Sequence, residues 1–301
     1  MLVNNGTTYF FEEGHTMFNK IAVHDFVFHQ DEVVAVAAIS VLYGEPEVVR
    51  IPSRDAEAHK KYADEGYTLI DVGGSEFDHH GSARDKKYDN GIWYSALGKV
   101  LAQAVKDNKL SQEMLDIMLF NGLYALQAKD NGQDFEGVES PFSFIHWLNG
   151  QDPADNHDQA WRFDDAVKMA KRIFSAMLRD AEKAIPDHTE CVKSFESMGE
   201  DGIADFPHHM GHSVLECQIW NAEHPDREVK FFTFPNGRGS FMIQGVNKVG
   251  SFALNYELPF KGLRGEELNE AAGIDDGVFV HANGFIGGAD SVEGCHKLAR
   301  F

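Results

Sequence analysis

Along the first half of the chain, short apolar runs alternate with longer stretches of helical spacing. The runs at residues 20–26, 48–52 and 67–72 predict strands, and the last of them ends in the turn signal Gly73-Gly74. The Ala/Val-rich stretch at residues 31–43 predicts a buried helix. Residues 93–106 and 111–129 carry apolar side chains at helical intervals, with Ser111 placed as an N-cap and Glu113 and Asp116 in the first turns. Strands alternating with helices predict an α/β domain with a mostly parallel sheet flanked by helices. A further amphipathic helix at residues 164–185 runs into Pro186-Asp187-His188, a breaker that sets the expected boundary between domains 1–187 and 188–301.

Beyond that boundary the pattern changes. Residues 214–220, 229–234, 241–246 and 252–256 predict strands, separated by turns such as Pro235-Asn236-Gly237. Residues 263–272 and 291–301 predict helices, and 278–281 a strand entering a Gly-rich loop. Together these predict a smaller C-terminal α+β domain with an antiparallel sheet.

Composition narrows the function classes. Of 301 residues, 43% are hydrophobic and 23 are Phe, enough for a real core, which excludes a disordered chain. No apolar stretch reaches membrane-spanning length, and residues 1–6 lack the basic start and apolar run of a secretory signal, so no membrane association and a cytoplasmic location are expected. Cys191, Cys217 and Cys295 are scattered and form no CxxC pair, which fits reduced thiols and argues against a thiolate zinc site. Acidic residues outnumber basic ones 48 to 27, for a net charge of −21. Long duplex nucleic acid is therefore disfavoured as a partner, since that binding rests on many Lys/Arg–phosphate contacts. A short anionic substrate stays open, because bound divalent cations invert the local field.

Potential metal ligands gather at the ends of the predicted elements. His24, His29 and Asp31 fall where a strand gives way to a helix, and Asp71 closes the strand Thr68-Leu69-Ile70-Asp71. Asp78-His79-His80 follows, and Asp130 ends a helix in Asp130-Asn131-Gly132. Open α/β sheets bind ligands at the carboxyl ends of their strands. Taken singly, each of these residues is more often a cap, a turn residue or a hydrogen-bonded histidine; in this order they match the donors of a two-metal site. Carboxylates suit Mg²⁺ or Mn²⁺, and imidazoles shift the preference toward Mn²⁺, Zn²⁺ or Fe²⁺. Two ions sharing a carboxylate clamp an in-line displacement at phosphorus and neutralise the charge that builds on its oxygens.

At these residues the chain resembles the DHH phosphoesterase superfamily and, more closely, the melanocyte proliferating gene exonuclease family (UPF0160-like, also described as "metal-dependent protein hydrolase"). The resemblance rests on His-x4-His-x-Asp-Glu (His24, His29, Asp31, Glu32), Asp71-Val72-Gly73-Gly74, Asp78-His79-His80 and Asp130-Asn131-Gly132. It continues in Gly262-Leu263-Arg264-Gly265-Glu266-Glu267-Leu268 and in the segment from Phe279 through His281 to Gly288, so it spans nearly the whole chain. Two features depart from the family pattern: Gln30 replaces a small residue or Cys, and residues 81–90 lack the usual Gln-Arg.

The resemblance implies a DHH-type catalytic domain at 1–187, a substrate-binding domain at 188–301 and an active site in the cleft between them. It implies two divalent ions, Mn²⁺ foremost, with Mg²⁺ or another divalent ion as alternatives. His24, His29 and Asp71 would hold one ion, and Asp31, His80 and Asp130 the other, with Asp71 bridging. His79 would face the scissile phosphate as a catalytic residue, with Asp78 orienting a neighbouring imidazole. His281 and the loop containing Gly284, Gly287 and Gly288 would hold substrate, as would Arg264 of the family motif; Arg238, read from its turn alone, is either a phosphate contact or a solvent-facing hairpin arginine.

The expected activity is Mn²⁺-dependent hydrolysis of phosphodiester bonds in short oligonucleotides or at RNA or DNA 3′ ends. The alternatives are a phosphoanhydride (pyrophosphate-type) hydrolase and an inactive protein that binds a nucleotide or partner. A short nucleic acid or nucleotide is the expected partner, and a homodimer is allowed. His208, His209 and His212 form a second imidazole-rich stretch that reads foremost as a polar surface loop, and Phe142, Phe144 and Trp147 read as core. There is no GxxxxGK[ST], no strand-GxGxxG-helix fingerprint and no GxSxG elbow.

Overall fold

Three short strands, β1 (Lys20–His24), β2 (Glu47–Ile51) and β3 (Thr68–Leu69), run parallel in the order β2-β1-β3. They belong to a computed structural model that describes residues 17–149, 156–249 and 251–300. The chain divides into two compact units, Met1–Ala181 and Glu182–Phe301.

In the first unit the crossovers are α1 (Gln30–Leu42) and α2 (Ala56–Asp64). Helix α1 is apolar all round, and from Asp31 to Leu42 only Val41 escapes full burial. Such a helix belongs inside a core rather than on a surface. It packs on the sheet beside α3 (Ala96–Lys106), α4 (Gln112–Met118) and α5 (Tyr124–Asp130), together with Phe142, Ile145 and Phe163. Ala22, Ile51, Leu69 and Val72 line the other face, covered by Tyr62 of α2. The short α6 (Ile145–Leu148) follows. Its neighbour Phe142 is core as expected, but Trp147 is 81% exposed.

The single helix expected over residues 111–129 is broken. A π-helical turn, Leu119–Leu123, separates α4 from α5, and Gly122 sits there at φ +112°. A Cβ on Gly122 would lie 2.7 Å from the Glu139 carbonyl oxygen, so only glycine fits.

Helix α7 (Asn156–Ser197) continues through Pro186, where a break was expected. Buried Ala184 on one side and Cys191 and Phe195 on the other hold it helical, so packing overrides the local preference. The helix spans the division between the units, and nothing in it breaks at residues 186–188.

The second unit is built on a five-stranded mixed sheet of order β4-β5-β6-β8-β7: β4 (Ile203–Asp205), β5 (Phe231–Pro235), β6 (Phe241–Gly245), β7 (Gly277–Val280) and β8 (Ile286–Ala289). Only β4–β5 is parallel. One core joins Cys191 and Phe195 to Cys217, Phe232 and Phe234. The other joins Phe231 and Ile243 to Leu268 of α9 (Gly265–Ala272) and Leu298 of α10 (Val292–Leu298). Two expected strands are absent. Residues 214–220 lie in α8 (Ser213–Glu223), where Ser213 and Cys217 are buried one turn apart. Residues 252–256 form no strand, and Phe252 is 99% exposed. No helix among the described residues is long and apolar enough to cross a membrane. Residues 1–6, read above for a secretory signal, lie outside the described residues.

Candidate metal centre

The carboxyl ends of β1 and β3 deliver the first groups. Strand β1 ends in His24, and the next loop feeds α1, whose first turn carries Asp31 and Glu32. Asp71 stands just past β3 with a left-handed backbone, φ +60°. Asp78, His79 and His80 follow in the loop before α3, and Asp130 is the last residue of α5. Asp31, Glu32, Asp71 and His79 are each at most 4% exposed.

Both buried imidazoles are turned the same way. His24 Nδ1 lies 3.0 Å from the Asp25 carbonyl, which can only accept, so Nδ1 carries a proton and Nε2 faces the cluster. His24 Nε2 is 3.0 Å from Glu32 Oε1 and 3.7 Å from Asp71 Oδ2. His79 Nδ1 lies 3.3 Å from Asn131 Oδ1. The Asn131 amide nitrogen donates to the carbonyls of Trp93 and Gln127, and Arg84 donates to its Oδ1 at 2.9 Å, so that oxygen accepts and His79 Nδ1 donates. His79 Nε2 then points at Asp130 Oδ2 (2.9 Å), Asp71 Oδ1 (3.0 Å) and Asp31 Oδ2 (3.8 Å).

The carboxylates are held in turn. Asp31 accepts the Ala96 and Leu97 backbone N–H groups at the start of α3, at 2.8 and 3.0 Å. Glu32 Oε1 accepts the His29 N–H at 2.7 Å. Asp78 accepts N–H groups of Gly74 (2.7 Å) and His80 (3.0 Å) and the His80 Nδ1 at 2.8 Å.

The electrostatics attract positive charge. Burial pulls the imidazoles down, but Glu32 lifts His24 to about 9, and Asp130, Asp71 and Asp31 lift His79 to about 11. Burial, reinforced by Asp130 and Asp71, pushes Asp31 well above the carboxylate range, and burial also raises Asp71. Asp78 goes the other way: burial would raise it, but its donors bring it to about 2.

The donor set fits divalent ions. Glu32 Oε2, Asp71 Oδ1, His79 Nε2 and Asp130 Oδ2 are buried without a hydrogen-bond partner. Buried polar atoms are rarely left so, and a metal ion satisfies such a group. The ligand atoms form three sets: His24, His29, Glu32, Asp71; Asp71, His79, His80; and Asp31, His79, Asp130. Asp71 belongs to two of them. All donors are carboxylate or imidazole, which suits Mn²⁺, Mg²⁺, Zn²⁺ or Fe²⁺.

The structure thus brings His24, His29, Asp31, Asp71, His80 and Asp130 together, with His80 in a set with Asp71 and His79. His79, not His80, shares a set with Asp31 and Asp130. His80 has a side chain 64% exposed and commits its Nδ1 to Asp78. Glu32, given no role by the motif, is a fourth group of the first set, and Asn131 and Arg84 stand behind His79. Position in the first turn of α1, beside Asp31, was the one available sign for Glu32; nothing local marked Arg84.

Two openings meet at the cluster. One, of about 740 Å³, is lined by His24, His29, Asp71 and His80 together with Phe26 and Arg54. The other, of about 300 Å³, is lined by His29, His80, Lys129 and Asp130. His29 and His80 are common to both.

The remaining expected residues lie in the second unit. Arg238 is exposed in the β5–β6 turn, where its N–H donates to Asn236 Oδ1 at 2.8 Å. Arg264 stacks on Phe279 at 5.5 Å, and His281 lies against Phe285 at 4.7 Å. Gly284 sits in the β7–β8 turn at φ +68°. Gly287 and Gly288 are not in a loop. They are buried in β8, where a Cβ would meet the Phe279 and Phe241 carbonyls at 3.0 Å, so packing accounts for them. His208 pairs with Asp187 at 2.8 Å and His209 packs on Phe234; with His212 they join no ligand set among the described residues.

The family model described as "Uncharacterised protein family (UPF0160)", MYG1 exonuclease, matches residues 20–301. A MYG1 protein of Dictyostelium discoideum is 27% identical over 93% of this chain and 94% of its own length. The human MYG1 exonuclease is 28% identical over 93% of this chain and 85% of its own. A solved structure, a pGpG-specific phosphodiesterase of Vibrio cholerae, aligns with 91% of this chain and 94% of its own at 12% identity and a TM-score of 0.31, a likeness too loose to fix fold or function. With the family model covering all but the first 19 residues, this chain belongs to the MYG1 exonuclease family.

Proposed function

We propose that this chain is a two-metal phosphoesterase of the DHH type that hydrolyses phosphodiester bonds of short oligonucleotides or of RNA or DNA 3′ ends, with Mn²⁺ as its ion. The observation that carries the proposal is the convergence of buried, unpartnered Asp71 Oδ1, His79 Nε2 and Asp130 Oδ2 within hydrogen-bond distance but outside hydrogen-bond geometry. Relatives named exonucleases favour nucleic acid as the substrate.

In this proposal His24, His29, Glu32 and Asp71 would hold one ion, and Asp31, Asp71, His79 and Asp130 would hold the other. Bound ions supply Lewis acidity, acidifying a water and neutralising charge on the phosphoryl oxygens. The chain supplies the rest. Asn131 and the Asp25 carbonyl keep Nε2 of His79 and His24 free for the cluster. His80 becomes the group that meets substrate. The Asp78 hydrogen bond to Nδ1 raises the His80 pKa and orients the ring, which suits His80 to the role of proton donor to the leaving oxygen. Lys129 and Arg54 line the two openings and draw an anion through an otherwise acidic surface.

The test is a substrate panel under Mn²⁺, Mg²⁺ and chelator. Release of nitrophenol from thymidine 5′-(4-nitrophenyl phosphate) and shortening of a 5′-labelled trinucleotide are expected with Mn²⁺ and absent with chelator. Turnover of inorganic pyrophosphate alone would replace the diesterase by an anhydride hydrolase. Tight nucleotide binding with no turnover under any ion would leave a binding protein.

A further inference from the structure

The larger opening has an apolar wall that the phosphate chemistry does not use. Phe26 is 43% exposed and Val27 36% exposed on the loop between β1 and α1, and both line the cavity that holds His24 and Asp71. Phe26 adopts φ +60°, a left-handed conformation unfavourable for a bulky residue and natural for glycine.

The surroundings enforce that conformation. Arg50 donates Nη2 to the Phe26 carbonyl at 2.6 Å and Nε to the His24 carbonyl at 3.2 Å. Its guanidinium is fixed over Phe163 at 4.8 Å. On the other side, Asn149 clamps the Phe28 backbone, accepting its N–H at 3.0 Å and donating to its carbonyl at 2.7 Å. Strain that is held from both sides and presents an aromatic face beside reactive groups marks a functional position. Arg54 lines the same cavity, and no carboxylate pairs with it among the described residues. An aromatic ring and a guanidinium in one cavity match a nucleobase and a phosphate.

We infer that Phe26 and Arg54 form a nucleoside-phosphate subsite of the larger opening, in which Phe26 stacks on the base and Arg54 pairs with a phosphate. The inference rests on the proposed phosphoesterase function. It adds that the enzyme recognises the base of its substrate by stacking, without regard to base identity, since every base offers a π-face.

Calorimetric titration of the full chain with adenosine 5′-monophosphate and with ribose 5-phosphate, in Mn²⁺, tests the subsite without turnover. Adenosine monophosphate is expected to bind roughly 5- to 150-fold tighter, the range for one stacked base. Phe26→Gly relieves the strained backbone and removes the ring, so it folds, and the ratio falls to near one. Phe26→Trp retains the ratio. Arg54→Gln weakens both ligands by the same factor. An unchanged ratio in Phe26→Gly overturns the subsite, as does failure of adenosine 5′-monophosphate to bind wild type. A base preference lost in Phe26→Gly, in a protein that hydrolyses no diester, upholds the subsite and sinks the phosphoesterase proposal. Diester turnover with no base preference does the reverse.

Discussion

Asp71 Oδ1 and His79 Nε2 stand 3.0 Å apart, both buried and neither in a hydrogen bond, while the second Asp71 oxygen faces His24. One carboxylate thus serves both halves of the cluster. Asn tolerates the left-handed backbone that Asp71 adopts, so Asp71→Asn keeps the loop while removing the shared anion. Turnover is expected to fall by at least about 10²–10³, the scale for removing one group aimed at developing charge. Burial, with Glu32 and Asp130 beside it, raises the Asp71 pKa against the opposing His79. An ionised group raised in this way opposes folding at neutral pH. In chelator, Asp71→Asn should therefore melt above wild type, by about 1 kcal/mol. In Mn²⁺ the order should reverse, because ligand binding stabilises only the wild type. Melting curves with and without the ion check both signs.

The two adjacent imidazoles separate by experiment. His79→Asn should lower the bound Mn²⁺ by one ion per chain, measured by equilibrium dialysis, and cut kcat/KM by roughly 10²-fold or more, about 2.7 kcal/mol of transition-state stabilisation. His80→Gln should keep both ions and lower kcat by about 10²–10⁴, as expected for a lost proton donor. The opposite pattern would return His80 to the ligands and His79 to the substrate.

Much of this centre is legible in the chain because its groups occupy positions that the periodicity marks. The apolar run of α1 declares a buried helix, so the acids in its first turn must be inside, and Asp71 follows the apolar pair Leu69-Ile70 at a strand end. What is not legible is side-chain direction within a loop. His79 and His80 differ by one position, and the loop that turns one inward is set by Asp78 gripping the Gly74 and His80 N–H groups. The same limit hides Glu32, whose neighbour Asp31 has the same chemistry. In the second unit, Val214-Leu215-Glu216-Cys217 suits either period, and burial of Ser213 with Cys217 decides for α8. The break at Gly122 depends on Glu139, 17 residues away, and no local pattern reports it.

In the second unit, His296 of α10 and Asp205 of β4 form a pH-sensitive tie. His296 Nε2 lies 2.8 Å from Asp205 Oδ1, and its Nδ1 lies 3.2 Å from Asp201 Oδ2. The Asp205 hydrogen bond raises His296. Asp205 would be raised by burial, but His296 and Thr233 bring it below its ordinary value. The raised imidazole adds stability that is full below its unfolded pKa and lost as pH rises through the folded one. The lowered carboxyl adds stability that is present above its unfolded pKa and lost as pH falls. The tie is therefore strongest between about pH 4 and 6.5. The pair is partly exposed, so its worth is at most about 1 kcal/mol. Urea midpoints of wild type and His296→Ala should differ most near pH 5.5, between the two unfolded pKa values, and converge as pH rises through the raised His296 pKa. A difference that grows with pH would refute the tie.

Pro186 is exposed in the interior of α7, where it donates no N–H and its ring crowds the preceding turn. Proline in a helix interior is about 3 kcal/mol less favourable than alanine when the helix is otherwise regular. Pro186→Ala restores the missing N–H and should stabilise the chain by roughly 1–3 kcal/mol, with an unchanged denaturant slope. Little packing is lost, because the ring faces solvent, while Ala184 and Cys191 remain to hold the helix on its core. If the midpoint falls instead, the helix geometry at Pro186 must itself be what seats Cys191 and Phe195 against Phe206 and Phe232. In that case Pro186→Ala should also bring those aromatic rings out of register, which near-ultraviolet circular dichroism would record as a loss of signal.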